Sequence, residues 1–295
     1  MTTSSQPAGS RAARAFFLAL SVLFLAASCA TPERRAAGLV ASGQEVSALA
    51  VGDDQALAKK LSNPVAALIS VPLQLNYDHD FSPGDEGKRW LLNVQPVIPI
   101  SISENWNVIS RTIVPFIDLE DVIPGDDHES GTGDVTQSLF FSPKEPTKSG
   151  LIWGAGPAFL LPLASEDALG ADKLGIGPTG VVLKQQGPWT YGGLANHIWS
   201  VAGGGCQEIS STFLQPFLAY TTPTAWTFAL NTESTYDWRR DDWSVPINAT
   251  VAKLIRLGKL PVSLTGGVRY WAEEQDNGPQ GWGLRFVLTF LFPKG

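Results

Sequence analysis

Trp282-Gly-Leu-Arg-Phe-Val-Leu-Thr-Phe-Leu-Phe292 decides the fold. Trp282, Leu284, Phe286, Leu288, Phe290 and Phe292 fall on one face of an extended chain, and Gly283, Arg285 and Thr289 on the other. Side chains of a strand alternate between faces with period two, so this stretch is an amphipathic strand of membrane-spanning length. The same alternation recurs upstream. Ile69, Val71, Leu73, Leu75 and Tyr77 alternate with Ser70, Pro72, Gln74 and Asn76, and Val262, Leu264, Val268 and Tyr270 with Ser263, Thr265, Gly267 and Arg269. About twelve such runs are predicted, over 66–77, 90–100, 106–117, 133–142, 151–163, 175–185, 189–201, 212–221, 225–236, 243–254, 261–272 and 282–292.

Connections between these runs alternate in length. Residues 78–89, 118–132, 164–174, 202–211, 237–242 and 273–281 read as long loops, while 101–105, 143–150, 186–188, 222–224 and 255–260 read as short turns. Short periplasmic turns alternating with longer extracellular loops mark a transmembrane barrel. The polar face is rich in Gly, Ser, Thr, Asn and Gln, whereas a water-exposed sheet would carry Lys and Glu. Trp and Tyr gather at strand ends (Trp90, Trp106, Trp189, Trp199, Tyr236, Trp243, Tyr270, Trp282), as in interfacial girdles. The fold expected over 66–293 is therefore all-β: an antiparallel transmembrane β-barrel of about twelve strands in the bacterial outer membrane. Pro72, Pro96, Pro99, Pro115, Pro157, Pro162, Pro178, Pro216 and Pro246 fall inside these runs, and each removes a ladder donor. Some of them are expected at bulges or strand ends.

The first thirty residues read as an export signal. Arg11 and Arg14 precede the apolar stretch Phe16 to Ala27, which is shorter than the roughly 20 residues of a membrane-spanning helix. Two processing routes fit: cleavage before Thr31, or a lipoprotein box ending at Cys29, which would then be the lipid anchor. Either route leaves Cys206 as the remaining cysteine, so a structural disulfide is not expected. Residues 31–65 read as a periplasmic segment with one short helix near Asp54 to Leu61, either a plug for the barrel mouth or a linker.

The net charge of −7 excludes a nucleic-acid partner. Composition points the same way as periodicity: 17% charged residues, ten Trp, 29 Gly and 21 Pro suit a turn-rich β protein and not a helical bundle. No cofactor or metal site is predicted. Gly154-Ala-Gly156 and Gly175-Ile-Gly-Pro178 precede no helix and so lack the amide cradle of a phosphate loop. His197 and Ser200 lie on opposite faces of one run, so no nucleophile–base pair forms between them and no enzyme activity is expected. The acidic 118–132 stretch reads either as a cation-bridged contact to lipopolysaccharide or as a solvated loop.

The interior face carries the remaining candidates. Gln74, Asn76, Asn93, Gln95, Asn231, Glu233, Asn248, Arg269 and Arg285 are predicted to line a pore, with Asn107, Arg111 and Thr250 on the same face. Glu233, Arg269 and Arg285 should meet as an internal ion-pair cluster, which reads as a selectivity constriction or as a structural bridge filling a narrow lumen.

Several stretches together resemble the bacterial family known as the MetA pathway of phenol degradation. They are Leu61-Ser-Asn-Pro-Val-Ala-Ala-Leu-Ile-Ser-Val-Pro72, Phe140-Phe-Ser-Pro-Lys-Glu-Pro146, Gly187-Pro-Trp-Thr-Tyr191, Asn196-His-Ile-Trp199, Ala229-Leu-Asn-Thr-Glu-Ser-Thr-Tyr236 and Gly281-Trp-Gly-Leu-Arg285. The resemblance covers about residues 55–293 and implies an outer-membrane channel or transporter for small, hydrophobic or aromatic, solutes. Outer-membrane lipid, lipopolysaccharide and the barrel-assembly machinery are the implied partners. The competing expectation is a plugged, non-conducting barrel with a structural or adhesive role. The chain departs from the common barrel ending, because Pro293-Lys294-Gly295 follow Phe292.

Overall fold

The computed structural model describes residues 53–81, 87–123, 126–205, 208–275 and 278–293. The signal segment, the anchor candidate Cys29, residues 31–52 and Cys206 lie outside the described residues.

Fifteen β segments form one antiparallel sheet: β1 (Ile69–His79), β2 (Lys88–Val94), β3 (Val97–Ser101), β4 (Trp106–Ile123), β5 (Asp126–Thr132), β6 (Val135–Pro143), β7 (Leu151–Leu161), β8 (Lys173–Gln186), β9 (Trp189–Gly203), β10 (Ser210–Thr221), β11 (Trp226–Thr232), β12 (Ser234–Asp237), β13 (Asp242–Leu257), β14 (Leu260–Glu273) and β15 (Trp282–Phe292). Three staves are interrupted: β2/β3 at Gln95-Pro96, β5/β6 at Gly133-Asp134 and β11/β12 at Glu233. The wall therefore has twelve staves. It closes where β15 pairs with β1, from Ile69↔Phe292 to Tyr77↔Leu284. Closure removes the free edges that an open sheet would leave unpaired in lipid.

One register runs round the wall. Asn76 stands opposite Arg285, Gly267 opposite Arg285, Asn248 opposite Arg269, and Asn231 opposite Asn248. Their alternates Leu284, Phe286, Leu264, Val268, Phe228 and Leu230 face outward and are 41–52% exposed. So many exposed large apolar side chains would be an aggregation surface in water, and here they form the lipid belt. Aromatic pairs rim it at both ends. Trp106–Trp153 and Trp189–Tyr220 lie beside the short turns, while Tyr77–Trp90, Tyr236–Trp243 and Tyr270–Trp282 lie beside the long loops.

Two of the predicted long loops differ from expectation: one is mostly strand and one is a tight turn. Over 118–132 the chain continues as an antiparallel extension in which β4 pairs with β5 from Phe116↔Thr132 to Ile123↔Asp126. Within it Asp118 Oδ2 lies 3.3 Å from His128 Nε2 and Glu120 meets Lys88 at 3.7 Å, so side chains of the same sheet already stand against these carboxylates. Among the described residues no group of three or more His, Cys, Asp or Glu is arranged to hold a metal ion. Over 237–242 strands run up to Asp237 and resume at Asp242, leaving a tight turn.

Four prolines sit where the ladder breaks, whereas Pro72, Pro99, Pro115 and Pro216 each lie within an unbroken register on one side, with β15, β4, β2 and β9 respectively. Pro96 occupies the β2/β3 interruption and Pro246 a bulge beside Val245. Pro157 and Pro178 face each other across β7–β8. The ladders on their far sides lapse, between Ser138↔Ala158 and Phe141↔Ala155 and between Ile176↔Trp199 and Thr179↔Asn196. The missing N–H groups account for both gaps.

Two neighbouring glycines make a test of the register. A Cβ on Gly267 would point inward, 2.3 Å from the Ala249 carbonyl oxygen, whereas one on Gly266 would point outward and meet nothing within 4 Å. Gly267→Ala should therefore destabilise the barrel by about 2 kcal/mol, and Gly266→Ala by little or nothing. Urea unfolding of the protein in phospholipid vesicles measures the difference.

Candidate functional site: the barrel interior

All nine predicted pore residues face the interior, but most are packed against one another and do not line open space. Asn76, Gln95, Asn248, Arg269 and Arg285 are buried. Glu233, at the β11/β12 interruption, accepts a bidentate pair from Arg285, at 2.9 Å from Nη1 and 2.6 Å from Nη2. Arg269 Nη2 donates to the same carboxylate at 3.1 Å. Arg285 Nε donates to Asn76 Oδ1 at 2.8 Å, Arg269 Nε donates to Asn248 Oδ1 at 3.1 Å, and Asn248 Nδ2 donates to Asn231 Oδ1 at 2.9 Å. The guanidinium fork suits this work because its planar donors match a carboxylate edge.

The network reaches further than the sequence reading placed it. Arg269 Nη1 also donates to both oxygens of Asp78 at 3.3 Å. Arg89 Nη2 approaches Asp78 at 2.8 Å, and the Trp271 indole N–H donates to it at 3.1 Å. Arg269 also lies over the Trp271 ring, 5.0 Å from its centroid. Asp78 and Arg89 escape the sequence reading because the predicted strands end at 77 and resume at 90, whereas β1 runs to His79 and β2 starts at Lys88. Extending the period from Gln74 and Asn76 by one step finds Asp78 inside.

Below this network, toward the short turns, the interior is apolar and filled by the chain's own N-terminal part. A helix spans 53–61. Leu57, Ala58 and Leu68 pack against Ala225, Leu254 and Leu291. Val65 is buried among Ile109, Phe140, Val181, Leu183 and Leu194. Polar ties fasten the helix to the turns: Lys59 Nζ donates to the Gly187 carbonyl at 2.7 Å, Gln185 Nε2 donates to the Lys59 carbonyl at 2.8 Å, and Arg256 pairs with Asp54 at 2.6 Å. A cavity of about 180 Å³ remains above the segment, bordered by Lys60, Asn63, Gln95, Arg111 and Gln215. The apolar step at Val65 is invisible in sequence, because nothing in residues 62–68 says what they touch.

At the long-loop end Lys173, buried on β8, pairs with Glu208 at 3.0 Å, and Ser200 Oγ donates to the other Glu208 oxygen. The bonds from Ser200 and Lys173 hold the Glu208 carboxyl below the usual carboxylate range. A lowered folded-state value means the tie is complete above about pH 4.3, the ordinary glutamate value, and is lost as pH falls through the lowered one. Amide exchange at Ile209, whose N–H donates to Ser200 Oγ at 2.9 Å, should accelerate over that acid window in the wild type. In Glu208→Gln it should not.

His197 faces outward beside Trp199, with Nδ1 2.6 Å from Thr212 Oγ1 and Nε2 at 3.5 Å from Ser210 Oγ. Ser200 turns to the interior face, as expected, and the two side chains do not meet.

No family model matches the chain, and no curated protein matches it in sequence. Solved structures do match in shape. The COG4313 outer membrane channel from Pseudomonas putida F1 is similar at TM-score 0.60 and 14% identity, over 77% of this chain and 96% of that one. The outer membrane phospholipase A from Escherichia coli is similar at TM-score 0.47 and 9% identity, over 76% and 90%. The β domain of the Bordetella autotransporter BrkA gives TM-score 0.44 and 10% identity, over 77% and 100%. At 14% identity the likeness to the COG4313 channel is one of fold, and with the lipid belt and the closed wall it makes the chain a bacterial outer-membrane β-barrel.

Proposed function

We propose that the protein is a non-enzymatic outer-membrane channel for small solutes, hydrophobic or aromatic ones among them, narrowed at its periplasmic end by residues 53–68 to small or infrequent openings. One observation carries this reading. The interior is not a solid core: a cavity bordered by polar side chains lies directly above a segment of the chain's own N-terminal part. A structural barrel has no need of such a removable stopper. The resemblance of residues 55–293 to the MetA-pathway family supports the same substrate class. Outer-membrane lipid, lipopolysaccharide and the barrel-assembly machinery are the partners in this setting.

The second reading, a plugged and non-conducting barrel, is favoured by the buried Asp78–Arg269–Glu233–Arg285 network. Liposome swelling separates the two. Folded protein, recognised by heat-modifiable gel mobility, should admit small neutral solutes above the protein-free background, with influx falling as solute size rises. Influx at background for every solute would leave the second reading standing.

A further inference from the structure

Four guanidiniums face the middle of the lumen: Arg89, Arg111, Arg269 and Arg285. Two carboxylates, Asp78 and Glu233, answer them, and these are already engaged by Arg89, Arg269 and Arg285. The hydrogen bond that Arg111 makes is to a neutral group: Nη2 donates to Gln95 Oε1 at 3.0 Å. Arg111 feels the Glu233 carboxylate only at a distance, and Glu233 is already paired with Arg269 and Arg285. Two carboxylates for these four guanidiniums leave an excess of positive charge, and charge inside a membrane barrel is costly and marks solute pathways. Arg111 borders the 180 Å³ cavity, and so do Lys60 and Gln215, both with N–H donors, while Pro64, Leu68 and Val97 give the same cavity apolar walls.

We propose that this cavity is a binding site for a small monocarboxylate with a compact apolar body, its carboxylate on Arg111 and its body against Pro64, Leu68 and Val97. The proposal rests on the channel reading and narrows its solute class. The apolar walls select against strongly hydrated dianions, which would lose their water without replacement. The guanidinium fork matches a carboxylate edge with two parallel N–H bonds, which a neutral isostere cannot exploit.

Equilibrium dialysis of the full chain, folded in detergent micelles, against labelled benzoate and its neutral isostere benzamide tests the site. Benzoate should bind about tenfold or more tighter than benzamide. Arg111→Gln should abolish that preference while leaving benzamide unchanged. Arg111→Lys keeps the charge, and so guards against a folding failure, but cannot supply the two parallel bonds, and it should lower the preference as well. Equal binding of the two compounds by the wild type, or an undiminished preference in either variant, would overturn the site. Liposome swelling is scored separately. Charge-dependent binding by a chain that admits no solute supports the site and overturns the channel reading, whereas admission without the preference overturns the site alone.

Discussion

Glu233→Gln should be among the most damaging single substitutions in the barrel wall. The carboxylate accepts two bonds from Arg285 and one from Arg269. Both arginines are nearly inaccessible to solvent, at 3% and 4% exposure, so neither can recover its lost partner from water. Removing one member of a buried ion pair leaves the other uncompensated and costs about 3–5 kcal/mol. Asp78 still holds Arg269, so the larger part of the loss falls on Arg285. A second substitution, Arg285→Met, should return much of it when combined with Glu233→Gln, because the double variant buries no orphan charge. Urea unfolding in phospholipid vesicles measures the cycle, and a coupling energy above about 1 kcal/mol is expected for groups in direct contact. Additive losses would mean that the two side chains stabilise the wall independently.

The second large effect should come from Val65→Asp. Val65 is 5% exposed and surrounded by Ile109, Phe140, Val181, Leu183 and Leu194, with no cation among them. A carboxylate there must shed its water without gaining a partner, at a cost of several kcal/mol. The barrel wall does not depend on this contact for its ladders, so the segment should leave the lumen while the wall stays folded. Heat-modifiable mobility should then be retained, and protease should cut within 62–68 much faster than in the wild type. Val65→Ile, which keeps the apolar fit, is the control. Loss of the folded barrel in Val65→Asp would instead make the segment an integral part of the core.

What the sequence discloses and what it hides divide along physical lines. The closing strand is legible to the residue, 282–292, because one face is held in lipid and a slip of one position would invert every side chain. The interior assignment of Arg285, Arg269 and Glu233 follows from that register, and their meeting was readable because the β11/β12 stave, β13, β14 and β15 are consecutive round the wall. Asp78 and Arg89 were hidden by a two-residue error at strand ends, where alternation of apolar residues gives way to charge. The extension of β4 and β5 was hidden for a related reason: beyond the lipid belt both faces of a hairpin are wet, so Asp118 to Glu129 carry no apolar period. Val65 was hidden most completely. Its partners come from β4, β6, β8 and β9, and a contact of that kind leaves no pattern within its own stretch.

The central claim is that residues 53–68 are a stopper in a conducting barrel. Planar-bilayer conductance of the full chain beside a chain lacking 53–66 tests it most directly. The full chain should give small or infrequent openings, and the shortened chain, shown to be folded by heat-modifiable mobility, should give stepwise currents several times larger. Identical conductance from the two chains, or silence from both, would contradict it.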